Sequence, residues 1–139
     1  MARIYSSLKG AEIEMKFAKI VFLVAGIYGL IVLLPAYFLE EQVGRDFPPP
    51  ITHPEYYYGF IGVAVAWQFV FLILSRDPVR YRPMMIPSIL EKASFAIPAV
   101  MLFLQHRIPT MTLGLALVDA SLGLLFVIAY LKTKQGSPS

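Results

Sequence analysis

The sequence predicts an all-α fold, a transmembrane up-down four-helix bundle, and three observations predict it. Of 139 residues, 58% are hydrophobic and 15% charged, a balance too apolar for a soluble domain. The apolar residues gather into four runs, three of them close to the ~20 residues that cross a hydrocarbon core of ~30 Å, while the third, Ala93 to Gln105, spans only if its helix begins near Met84 or Pro87. Basic residues flank these runs, as orientation signals do. The chain therefore reads as a single membrane domain over residues 1–139. With no cysteine, it has no disulfide framework, no thiolate metal site and no cysteine nucleophile. The net charge of +3 belongs to the membrane flanks, and nucleic acid is not an expected partner.

In chain order, residues 1–19 form an amphipathic lead, with Ile4, Leu8, Ala11 and Met15 at helical spacing and Lys9, Glu12 and Lys16 elsewhere on the wheel. Such a segment either lies among the headgroups or begins the first membrane helix. The first crossing is expected over about 20–39, with Gly26 and Gly29 permitting close helix contact and Tyr28 near its centre. Pro35 falls near its far end, followed by Glu40, Glu41, Gly44, Arg45, Asp46 and Pro48 to Pro50, which read as a stiff polar loop.

The second crossing, about 56–75, opens on Tyr56, Tyr57 and Tyr58, an interfacial aromatic belt. Gly59, Gly62 and Ala66 make a small-residue ridge suited to packing against another helix. Asp77-Pro78 is a helix-start pair and predicts a short surface helix over Val79 to Met85. The third crossing, about 87–105, must carry Glu91 and Lys92 in its first turns, and Pro98 should kink it. The fourth, about 111–131, follows after a short turn and should lie antiparallel to the third. Residues 132–139 read as a flexible polar tail.

Charge fixes the expected orientation. With four crossings and a cytoplasmic amino terminus, ten of the twelve Lys and Arg residues lie on or near the inner side, leaving Arg45 and Arg107 outside. Both termini are then cytoplasmic.

Asp119 is the chemical anomaly, because it stands near the middle of the fourth crossing, where a carboxylate must be protonated, paired or wet. Ala116 and Gly123 on its face are small, which lets another helix approach. Tyr28, Trp67 and Gln68 fall at similar depth, so a polar layer is expected in which Asp119 bonds Gln68 or Tyr28 and Lys92 extends toward it from the inner side. With Glu91 these six residues are the candidate ligand or proton site. Arg76, Arg80 and Arg82 are candidates for contact with lipid headgroups or a phosphate. His53, Glu55, Asp46 and His106 read as solvated loop residues, so no metal site and no cofactor are expected. An acid and base pair of Asp119 and Glu91 is disfavoured because the two lie on different helices at different depths, and no other catalytic arrangement is present.

The strings Pro54-Glu55-Tyr56-Tyr57-Tyr58-Gly59-Phe60, Arg76-Asp77-Pro78-Val79-Arg80-Tyr81-Arg82-Pro83 and Leu90-Glu91-Lys92 resemble those of small bacterial four-helix membrane proteins. That resemblance implies a multi-pass protein of the bacterial cytoplasmic (inner) membrane and implies no activity. The leading functional expectation is a non-enzymatic accessory or assembly subunit, its partners being the bilayer and other membrane subunits or copies of itself. The alternative is a binding or transport protein for a small molecule or lipid, with its polar site around Asp119.

Overall fold

A computed structural model describes residues 2–133, with side chains from residue 8 onward. Among them are five α-helices and no strand: α1 (Ala2–Ala36), α2 (Glu40–Asp46), α3 (Pro54–Arg76), α4 (Met85–Leu104) and α5 (Thr110–Lys132). α1, α3, α4 and α5 are long and apolar enough to cross a membrane. The chain is an all-α bundle.

The amphipathic lead is continuous with the first crossing, since α1 runs without a break to Ala36. The expected polar loop holds one extra element, the short helix α2, whose first turn carries Glu40 and Glu41 and whose last turn carries Arg45, a charge order that suits the helix dipole. It stops before Pro48 to Pro50, which cannot continue the helical hydrogen bonding. Pro54 occupies the first turn of α3, where its missing N–H leaves no bond unmade.

The surface helix expected over Val79 to Met85 does not form. The Arg80 N–H donates to Asp77 Oδ1 at 3.1 Å, so Asp77 caps a tight turn over residues 78–81. One 3₁₀ turn, Arg82–Met84, follows before α4 begins, and Pro83 has no N–H with which to extend a regular helix backwards. Arg82 instead reaches the end of α5, where it donates to the Tyr130 carbonyl at 3.2 Å and its guanidinium lies 3.9 Å from the Tyr130 ring centre. A cation there satisfies a carbonyl of the last turn that has no partner within the helix.

The four long helices pack unequally. α1 lies along α3, α4 lies along α5, and a seam between α1 and α5 joins the two pairs, while α3 and α4 scarcely touch. At the end that carries the turn from α3 to α4, Phe22, Phe71 and Phe126 form the centre of a buried cluster with Ala18, Ala25, Leu74, Met85 and Ala129. The Phe22 and Phe126 rings stack at 4.3 Å and Phe71 meets Phe126 edge-on at 5.0 Å. The Gly59, Gly62 and Ala66 ridge does not serve packing within the chain. A Cβ on Gly59 would meet open space and one on Gly62 only the Tyr37 hydroxyl, because α1 approaches α3 on its other face, through Gly26 and Gly29.

Pro98 lies inside α4, which continues to Leu104. The turn into α5 closes with the Arg107 N–H bonded to the Leu102 carbonyl and the His106 N–H to the Phe103 carbonyl, both at 2.9 Å. His106 holds φ 57° to make it, a left-handed conformation that glycine adopts more readily. His106→Gly is expected to raise the unfolding midpoint in detergent, by about 1 kcal/mol of stability. A lower midpoint would show that the His106 side chain contributes more than its backbone costs.

Candidate functional site

α5 brings Asp119 to the bundle interior on the face that also carries Ala116, fully buried, and Gly123. α4 approaches this face closely, and a Cβ added at Gly123 would stand 3.2 Å from Lys92 Cβ. Lys92 is thereby enclosed, only 5% exposed. Its Nζ donates to Asp119 Oδ1 at 3.1 Å, lies 3.3 Å from Glu91 Oε2 and sits 5.2 Å from the centre of the Phe71 ring. An ammonium in a membrane interior is costly unless paired, and here two carboxylates and an aromatic face surround it.

Lys92 extends to Asp119 as expected, but the expected bond from Asp119 to Gln68 or Tyr28 is not made. Gln68 is 2% exposed, and its Nε2 donates to the Ala64 carbonyl of its own helix at 2.8 Å. Its side chain lies against α1 at Gly29, where any Cβ would overlap it. Gln68 Oε1 is buried with no hydrogen-bond partner, and Glu91 Oε2 has none of hydrogen-bonding geometry. Glu91 and Asp119 do not stand apart as their sequence positions imply. A lysine side chain is long enough to pair with both, and α4 and α5 pack tightly enough for it to do so.

Beside this cluster lies a cavity of about 610 Å³. Tyr28, Trp67, Gln68, Glu91, Lys92 and Asp119 all line it, with aliphatic and aromatic side chains from each long helix completing the wall. Its volume falls within the roughly 300–1,000 Å³ usual for small-molecule sites. Lys92 marks its base, because the Phe71 ring on the far side belongs to the packed aromatic cluster. Phe60, Val63 and Leu90 line it and are also exposed on the outer surface, which puts an opening at the gap between α3 and α4. Phe60 and Phe95 face each other across that gap at 6.5 Å.

The arginines named as headgroup candidates divide. Arg76 and Arg80 are exposed at the turn from α3 to α4, whereas Arg82 is engaged with Tyr130. His53 Nδ1 and Glu55 Oε1 form an exposed contact at 3.1 Å, and His106 belongs to the turn before α5. Among the described residues no three His, Asp or Glu side chains converge as metal ligands would.

Sequence reasoning missed Phe71 as a partner of Lys92 and Pro87, Phe95 and Leu115 as cavity residues. A signal for the wall was present. Phe60, Ala64 and Trp67, and likewise Pro87, Leu90 and Ser94, recur at helical spacing and form one face on each of α3 and α4.

No protein-family model, curated protein or solved structure matches this chain.

The shared ammonium predicts unequal effects of removing its partners. Lys92→Met leaves two carboxylates facing one another without a cation and should lower stability by about 3–5 kcal/mol. Asp119→Asn leaves Lys92 beside Glu91 and should cost less than about half of that. Unfolding midpoints in one detergent compare the two, and equal losses would show that Glu91 does not share the charge.

Proposed function

We propose that the chain is a multi-pass protein of a bacterial inner membrane, with both termini cytoplasmic, that binds a small amphipathic molecule or lipid within its bundle. The observation that supports this reading best is the cavity of about 610 Å³ with a paired, buried Lys92 at its base and an opening toward the membrane. A bundle stabilised only by packing would have little reason to keep three ionisable side chains beside an unfilled space. An apolar wall with a few convergent polar groups is the usual anatomy of a small-molecule site.

Position defines the roles. The apolar body of a ligand fits between Phe60, Val63 and Trp67 on one side and Leu90 and Phe95 on the other, and its polar end meets Gln68, Glu91, Lys92 and Asp119. Entry from the bilayer between α3 and α4 suits a molecule that is already dissolved in lipid. The reading includes no chemical conversion of the ligand. In this reading the exposed Arg76 and Arg80 contact anionic headgroups on the cytoplasmic side.

The accessory-subunit reading is supported by one observation, the unfilled Gly59 and Ala66 face of α3, which another membrane helix could occupy. Native mass spectrometry after extraction in mild detergent separates the two readings. Ligand binding predicts one small adduct per chain, weakened or lost in Ala64→Leu, which pushes a larger side chain into the cavity wall. A stoichiometric protein partner with no small adduct would overturn it in favour of the subunit reading.

A further inference from the structure

The cluster at the cavity base is unbalanced in both charge and hydrogen bonding. Two carboxylates, Glu91 and Asp119, face a single ammonium, and among the described residues Lys92 is the one cation paired with either. Acceptors also exceed donors. Lys92 Nζ donates to Asp119 and lies 3.3 Å from Glu91 Oε2 outside hydrogen-bond geometry, Gln68 Nε2 donates to the Ala64 carbonyl, and Gln68 Oε1 is buried without a hydrogen-bond partner. The Ser94 hydroxyl, at the cavity wall, donates to the Glu91 carbonyl and so is spent within α4.

A buried acceptor without a donor costs roughly 1–3 kcal/mol, more if it is charged, so the ligand that best completes this site brings donors and one positive charge. Tyr28 and Trp67 add ring faces that attract a cation. We propose that the cavity takes a cationic amphiphile, a protonated amine carried on an apolar body, with its ammonium between Glu91 and Gln68. The proposal rests on the binding reading above and assigns the class of ligand to it. The proton balance closes without another reactant. If the excess negative charge is held by a proton on Glu91, an amine entering from lipid as the free base takes that proton, and the product is the same pair of ammonium groups facing the same pair of carboxylates. A carboxylate head would add a third negative charge. An alcohol could donate to Gln68 Oε1 but would leave the charge unbalanced.

Trp67 is the single tryptophan of the chain and lines the cavity, so its emission reports occupancy without a label. The protein is placed in nanodiscs of uncharged phosphatidylcholine and titrated with dodecyl chains brominated along their length and ending in a primary amine, an alcohol or a carboxylate. Binding is expressed against mole fraction in the disc. The amine should quench Trp67 at about tenfold lower mole fraction than the alcohol, the ratio that one charge-assisted contact supplies, and the carboxylate should bind least. In Glu91→Gln the preference for amine over alcohol should disappear while the alcohol still quenches. Equal quenching by amine and alcohol in the native protein, a preference for the carboxylate, or an unchanged amine preference in Glu91→Gln would overturn the ligand class while leaving the cavity a binding site. If none of the three quenches beyond the level seen in Ala64→Leu, the binding reading itself fails.

Discussion

The structure depends on how one ammonium group is accommodated inside an apolar bundle. Lys92 cannot reach water without leaving its place on α4, so its charge has to be met by groups on neighbouring turns and helices. Asp119 meets it from α5 and Glu91 from the next position on α4. The Asp119 contact requires α4 and α5 to lie close, and Gly123 beside Lys92 Cβ with Ala116 on the same face of α5 provides the space. The cost of burying charge, the small residues of α5 and the tight pairing of α4 with α5 are therefore one constraint seen from three sides.

The same constraint explains why one half of the bundle is packed and the other hollow. Toward the turn from α3 to α4, Phe22, Phe71 and Phe126 fill the space between helices, and Arg82 closes the end over Tyr130. Beyond Lys92 the aromatic contacts are looser, Phe60 with Phe95 at 6.5 Å and Tyr37 with Tyr58 at 6.1 Å, and α3 and α4 scarcely touch. In water such a gap would collapse, since exposed apolar surface costs about 25 cal/mol per Å². In lipid that drive is absent, because the tails are as apolar as the side chains, and a cleft between α3 and α4 is tolerated. Two buried polar atoms without hydrogen-bond partners, Gln68 Oε1 and Glu91 Oε2, belong to residues that line this hollow half.

The architecture was legible in the sequence because membrane helices follow from apolar run length. α4 and α5 lie within two residues of their expected bounds, and α1 differs mainly in absorbing the lead. Asp119 was conspicuous because a mid-span carboxylate has few ways to survive. Its partner was harder to read. Side-chain reach and rotation about the helix axis decide between Gln68 and Lys92, and residue spacing along the chain records neither. The ridge on α3 is not the face by which α3 meets α1. Small residues show which face permits close approach, but the face α3 uses is set by Gly26 and Gly29 on α1, where Gln68 fills the contact. The turn before α4 failed as a helix because Pro83 lies five residues after Pro78, too near for a helix to establish itself between them.

The most direct measurement is the distance between the Lys92 ammonium and the Asp119 carboxyl in a lipid bilayer. Solid-state NMR of protein labelled with ¹⁵N at lysine Nζ and ¹³C at aspartate Cγ isolates it, because among the described residues no other lysine is paired with an aspartate. The account predicts one strongly dephased Nζ signal, consistent with the 3.1 Å contact to Oδ1, and its loss in Lys92→Met. No dephased lysine, or a coupling that persists in Lys92→Met, would contradict it.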